Sequence, residues 1–305
     1  MKKVIILGGG ISKERLISLE TARSVFKSLK KNKKYKSIIS EPDEDFFKKV
    51  KTFKPDIVFN ALHGQFGEDG YIQTILESQK IKYTHSGVLA SSIAMDKEIS
   101  KKIFLKNKIL TPKHIKYDFN KKNKNIISQI QKKLKFPVVI KPINEGSSLD
   151  VYICNNKLSL SNKLKKMRHY KEILIEKFVP GREIQVAIMG NKVLGPIELK
   201  PKRKFYDYKA KYYTNAKTEH IIPVNLSKKN YDKINKIALR AHKLLNCRGV
   251  TRSDFKFYKN KFYLLELNTQ PGMTDLSLVP EIAAHKGINF TTLINWMIKD
   301  ASKNR

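Results

Sequence analysis

Apolar positions recur along this chain with two periods. The runs VIIL (4–7), YKSIIS (35–40) and DIVFNAL (56–62) are short and apolar enough for strands buried in a sheet. Between the first two, Leu16, Leu19, Ala22, Val25, Phe26 and Leu29 form the stripe of a helix, and a second helix runs through Val50 after an acidic turn at 42–45. Alternating strand and helix predicts a parallel sheet with right-handed crossovers. Ligands of such sheets lie beyond the carboxyl ends of the strands, so the glycine turn at 8–12 and the loop HGQFGEDG (63–70) are expected to face one site.

The pattern then changes. A helical stretch from Val88 to Asn107 leads to KHIKY (113–117), a helix over 126–134 and PVVIKP (137–142). After EGSS (145–148) and VYIC (151–154), the runs 172–179, 182–190 and 192–199 are β-rich, and the short turns Pro180-Gly181 and Gly190-Asn191 predict an antiparallel sheet. Residues 206–217 lack periodicity and read as a long polar loop, the kind that often carries function. A helix over 231–245 precedes the hairpin VTRSDFKFY and KFYLLELN joined at Asn260; a loop and two helices close the chain. A division follows: an N-terminal α/β domain at 1–90, a central lobe at 91–179 and a C-terminal lobe at 180–305.

Charge alters this picture less than its size suggests. The 305 residues carry 62 Lys+Arg against 27 Asp+Glu, a net +35 that raises the question of a polyanion partner. Only nine of the 62 are Arg, and no aromatic-interleaved basic motif occurs, which argues against specific nucleic-acid recognition. No apolar run is long enough to span a membrane, and the glycines at 8–10 interrupt any signal-like core, so the expectation is a cytoplasmic protein without membrane partners. Cys154 and Cys247 show no metal-ligand spacing. Against this basic background, residues 60–79 and 262–285 contain no Lys or Arg at all.

Those two stretches and their flanks hold the chemistry. Strand alternation places Arg252, Asp254 and Lys256 on one face, and Leu264, Glu266 and Asn268 on one face of the paired strand. Two acids and an amide there suit Mg²⁺, although a polar sheet face with a surface ion pair has the same pattern. Lys141, at the end of an apolar strand and just before Gly146, Ser147 and Ser148, fits a phosphate site; an ordinary turn fits too, and no Walker loop is present.

The order LGGGISKERLISLE (7–20), ALHGQFGEDGYIQ (61–73), AMDKEISK (94–101), FPVVIKPINEGSS (136–148), EKFVPGREI (176–184), FYDYKAKYY (205–213), GVTRSDF (249–255) and ELNTQPGMTDLSLVP (266–280) resembles the D-alanine:D-alanine ligases of the ATP-grasp superfamily from first strand to last helix. The resemblance implies an α/β pre-ATP-grasp domain followed by a two-lobed ATP-grasp module with largely antiparallel sheets. It also implies a homodimeric enzyme that joins two D-alanines with ATP and two Mg²⁺ ions, a role Mn²⁺ can also fill, for peptidoglycan precursor synthesis. Carried over by motif, Glu14 binds the first D-alanine's ammonium beside His63. Lys97, Lys141 and Lys211 contact phosphate, and Glu176 and Glu183 contact adenosine. Asp254, Glu266 and Asn268 hold the metals. Arg252 and the Gly272 backbone stabilise anionic oxygens, Ser277 and Leu278 meet the second carboxylate, and Ser147 and Tyr212 join Glu14 in closing the site. Two other functions stay open on the residues alone: a D-alanine:D-hydroxy-acid ligase, which the Lys211-Tyr212 pair disfavours, and a catalytically impaired polyanion-binding relative.

Three positions depart from the family pattern. Asp150 stands where Gly-Ser-Ser-x-Gly has its second glycine, so either its charge weakens ATP binding or its side chain points away. Leu16 replaces an acid after Glu14-Arg15, and Lys209 replaces a glutamate; neither removes a proposed catalytic atom.

Overall fold

In the computed structural model, which describes residues 1–121, 125–201, 218–274 and 277–304, the three N-terminal apolar runs become β1 (Lys2–Leu7), β2 (Tyr35–Ser40) and β3 (Ile57–Asn60). With β4 (Lys82–Tyr83) they form a parallel sheet ordered β2-β1-β3-β4, crossed by α1 (Arg15–Lys30), α2 (Phe46–Phe53) and α3 (Tyr71–Ser78). Val4 to Leu7 are all buried, because helices cover both faces of a parallel sheet and leave no strand position for water.

The expected helix over 88–107 is two helices, α4 (Val88–Met95) and α5 (Lys97–Lys106). Asp96 divides them, with extended backbone and a side chain that accepts from the amides of Glu98 and Ile99 at 2.9 and 2.8 Å. An N-cap of this kind is worth about 1 kcal/mol, and it sets Lys97 in the first turn of α5. Both helices pack on the large C-terminal sheet, where Ala90, Ala94 and Phe104 share a core with Ile184, Phe255 and Leu264.

A second sheet contains β5 (His114–Asp118), β6 (Val138–Pro142), β7 (Tyr152–Cys154) and β8 (Glu172–Lys177) in the antiparallel order β5-β8-β6-β7. With α6 (Ile126–Lys133) and α7 (Lys157–Lys166) it encloses a core of its own around Ile130, Ile140, Leu160 and Ile175. The third sheet is antiparallel, β11-β10-β9-β12-β13, built from β9 (Arg182–Met189), β10 (Lys192–Lys200), β11 (Glu219–Ile221), β12 (Val250–Tyr258) and β13 (Lys261–Asn268). The expectation that 172–179 and 182–190 form one hairpin is therefore wrong: β8 and β9 belong to different sheets. At the crossing, Gly181 takes φ +108°, and a Cβ there would stand 2.3 Å from the Phe257 carbonyl oxygen. Only glycine lets the chain pass so close to β12.

The 250–268 hairpin forms with the predicted ends, turning through Lys259 and Asn260 at φ +46° and +59°. Its register contains a surprise. Asp254 pairs with Glu266 but Phe255 pairs with Leu264, leaving Leu265 as the extra residue of a bulge. Leu264 consequently packs in the core with Phe255 and Phe262, while Glu266 and Asn268 face the other side. Strict alternation, which grouped Leu264 with those two, fails at that single residue.

The helices α8 (Lys228–Leu244), α9 (Leu278–His285) and α10 (Phe290–Asp300) complete the fold. Val25 and Leu29 of α1 meet Leu293 and Met297 of α10 in a core that also takes in Leu194 and Ile197, and Ser302 exchanges backbone hydrogen bonds with Tyr83 at the edge of the first sheet. On α8, His242 is buried with Nδ1 2.8 Å from Thr251 Oγ1, and burial together with the charge of Lys243 pushes its pKa down to about 4 from 6.5. The unfolded chain binds this proton more readily than the folded one, so the stabilisation is complete above pH 6.5 and is lost as pH falls toward 4. The urea midpoint should therefore decline less between pH 7 and 4 in His242→Gln than in the parent, and equal declines would refute the assignment.

Candidate active site

Loops from all three sheets close around a cavity of about 220 Å³. From the first sheet come Glu14 and His63, which the glycine turn and the 63–70 loop are expected to provide, together with Glu68. The two loops are tied: Ser12 Oγ donates to the His63 carbonyl oxygen at 2.6 Å. Glu14 is 5% exposed at the start of α1 and accepts a short hydrogen bond from Ser147 Oγ, a contact that joins the first unit to the central one. The His63 Nε2 lies 3.1 Å from Thr21 Oγ1. Burial, aided by the nearby Arg252 charge, pushes its pKa down to about 4, so the ring is neutral at physiological pH. A carboxyl group beside a neutral imidazole is a suitable seat for an ammonium group.

A second, smaller cavity of about 80 Å³ lies between the central and C-terminal sheets, lined by Lys141, Glu176, Lys177, Phe178, Glu183 and Leu265 among others. Lys97, Glu145 and Glu266 line both cavities. The Lys97 Nζ donates to the Glu145 carbonyl oxygen at 2.6 Å and stands 3.7 Å from Glu266 Oε2; burial lowers its pKa. Deeper, Glu176 bridges two ammonium groups, Lys101 at 3.0 Å and Lys141 at 3.1 Å. Burial alone would push its carboxyl up, but the two lysines hold it below the ordinary carboxylate range. Burial also brings Lys101 down to about 8. Lys256 pairs with Glu183 at 2.9 Å.

On the third sheet, Arg252 Nε and Nη2 donate to the two oxygens of Asp254 at 2.7 and 2.9 Å. Asp254, Glu266 and Asn268 occupy facing rungs of β12 and β13, with Arg252 opposite Asn268. Among the described residues no three His, Cys, Asp or Glu side chains converge as a complete metal cluster. Two carboxylates and an amide oxygen still fit Mg²⁺, which is commonly held by one or two carboxylates and completed by water and phosphate oxygens. Nearby, Ser277 Oγ accepts from the Thr274 amide at 3.0 Å and would stand 3.0 Å from a Cβ at Gly272, which brings Gly272, Ser277 and Leu278 to one end of the larger cavity.

This arrangement has counterparts among known proteins. The family described as D-ala D-ala ligase C-terminus matches residues 112–299, and D-ala D-ala ligase N-terminus matches 34–86. A D-alanine--D-alanine ligase of Pelagibacter ubique is 69% identical over 304 residues, covering 100% of this chain and 99% of its own. One from Zymomonas mobilis is 42% identical, covering 98% and 94%. The crystal structure of the Bacillus anthracis D-alanine--D-alanine ligase complexed with ATP superposes with a TM-score of 0.87 at 32% identity, over 98% of this chain and 97% of that one. The chain belongs to the D-alanine:D-alanine ligase family. It is an ATP-dependent, Mg²⁺-using ligase with the ATP-grasp fold.

Within this ligase, every described site residue named from sequence lines one or both cavities; Lys211 and Tyr212, with Lys209 and the rest of the loop 206–217, lie outside the described residues. Two buried participants escaped sequence reasoning. Lys101 ends the quoted stretch AMDKEISK (94–101), four residues after Lys97 on α5, but nothing in the sequence sets it apart from the many other lysines. Glu68 sits in the quoted loop 63–70 without a partner in sequence; in the ligase it accepts from the Gly64 amide at 3.1 Å, and burial beside Glu14 raises its pKa well above the usual carboxylate value. The Asp150 carboxylate lines neither cavity and accepts from the Tyr152 and Tyr170 hydroxyls at 2.8 and 2.7 Å.

Proposed function

We propose that the chain makes D-alanyl-D-alanine for peptidoglycan precursors, and that its two cavities divide the work. The smaller takes ATP and the larger takes both amino acids. The observation that carries this reading is the shared wall: Lys97, Glu145 and Glu266 line both cavities, so a terminal phosphate in one lies beside a carboxylate in the other.

A carboxylate has no good leaving group. Transfer of the terminal phosphoryl group to the first D-alanine gives an acyl phosphate and ADP; the neutral amine of the second attacks that carbonyl, and collapse of the tetrahedral adduct expels phosphate. Glu14 holds the first ammonium with His63 alongside. Lys97 and Lys141 meet phosphate, Lys211 reaches the transferred group, and Glu176 and Glu183 mark the adenosine end. Arg252 and the Gly272 N–H stabilise the developing oxyanion, and Ser277 and Leu278 seat the second carboxylate. Asp254, Glu266 and Asn268 would hold two Mg²⁺ ions, whose charge offsets that of the phosphates. Ser147 and Tyr212 close on Glu14 and exclude water from the acyl phosphate.

No helix among the described residues is long and apolar enough to cross a membrane. Family resemblance supports a cytoplasmic homodimer without a nucleic-acid or membrane partner. The test is phosphate release with D-alanine, ATP and Mg²⁺, compared with D-alanine plus D-lactate, with products identified. Release dependent on D-alanine alone, yielding the dipeptide, is expected. Ester product would favour the hydroxy-acid ligase, and no D-alanine-dependent release would defeat the reading.

A further inference from the structure

We propose that Asp150 is a positioning residue for the first amino-acid site, fixing the far end of the 145–150 loop through Tyr152 and Tyr170 so that Ser147 is held on Glu14. The inference rests on the assignment of Glu14 to the first substrate. Ser147, Ser148 and Asp150 all take left-handed backbone, at φ +49°, +57° and +52°. Three side-chain-bearing residues in that region need their surroundings to hold them. At the near end Ser147 bonds Glu14 and the Glu145 carbonyl is gripped by Lys97. At the far end, both Asp150 oxygens accept tyrosine hydroxyls. The Tyr170 hydroxyl also receives Lys13 Nζ at 3.4 Å, and the same ammonium lies 3.3 Å from Glu145 Oε1. Lys13 precedes Glu14 in the chain, so the contacts close a ring: Asp150, Tyr170, Lys13, Glu14, Ser147 and back along the loop. Lys13 is exposed and screened, which leaves the half-buried hydroxyl–carboxylate bonds as the stronger links.

Asp150→Gly, Asp150→Asn, Tyr170→Phe and the double variant Asp150→Gly/Tyr170→Phe test this by steady-state kinetics with each substrate varied, alongside Glu14→Gln. Expected is a rise of about five- to tenfold in the KM for the first D-alanine in Asp150→Gly, a fraction of the worth of the two charge-assisted hydrogen bonds lost, because they reach the substrate only through the loop. The KM for ATP and the melting temperature should stay near the parent's, because glycine takes this backbone freely. Asp150→Asn should recover part of the loss, Tyr170→Phe should shift the same KM, and the double variant should match Asp150→Gly alone. A D-alanine KM unmoved in Asp150→Gly but raised in Glu14→Gln would overturn the positioning role and leave the site assignment standing; unmoved in both, it would overturn both. A fall in the ATP KM alone, or equal rises in both KM values with a lower melting temperature, would also overturn it.

Discussion

Glu176→Gln is expected to lower the folding stability by about 3–5 kcal/mol, the usual result of breaking a buried ion pair from one side. The carboxylate is 3% exposed and holds Lys101 and Lys141 at 3.0 and 3.1 Å. With an amide in its place, two buried ammonium groups of like sign lose their adjacent countercharge. One must deprotonate or draw in water. The urea midpoint measured at unchanged slope reports the loss. Glu176→Gln/Lys101→Met should regain most of it, since removing both charges removes the desolvation each one suffers. A single-variant loss below about 1 kcal/mol would mean that the trio does not hold the central sheet together. The KM for ATP should rise in the same variant, because Lys141 loses the contact that aims it into the smaller cavity.

Glu266→Gln is expected to act on turnover instead. Its side chain is 29% exposed, lies 3.7 Å from Lys97 Nζ and stands opposite Asp254, so its loss removes one hard anionic ligand without opening the core. A loss of about 3 kcal/mol of transition-state stabilisation corresponds to roughly a hundredfold in kcat. The Mg²⁺ concentration for half-maximal activity should rise, while the urea midpoint stays close to the parent's. Near-normal kcat at ordinary Mg²⁺ would remove Glu266 from the ligand set.

The sequence was most readable where one period persisted. The first βα units and the ends of the 250–268 hairpin follow from apolar spacing alone, because burial of one face leaves little freedom of register. What escaped depended on partners far along the chain. Nothing in 172–190 tells which sheet each strand joins; Gly181 permits the crossing but only its approach to Phe257 requires it. The bulge at Leu265 is a matter of two strands against each other, and it decides that Glu266 and Leu264 face opposite ways. The site was legible as a set of motifs, yet its geometry added Lys101 and Glu68, whose importance comes from burial. The side chain of Asp150 illustrates the same limit: its charge was visible, its direction was not.

The cores also have a mechanical consequence. Because α1 and α10 interlock in apolar packing continuous with the C-terminal sheet, the first and last units form a single block. The central sheet closes on its own apolar interior and meets that block largely through polar contacts such as Lys13 with Glu145, Ser147 with Glu14 and Lys97 with Glu145. A central unit with a separate apolar interior, tied to that block by named hydrogen bonds and ion pairs among the described residues, has the construction of a jaw set against a fixed one.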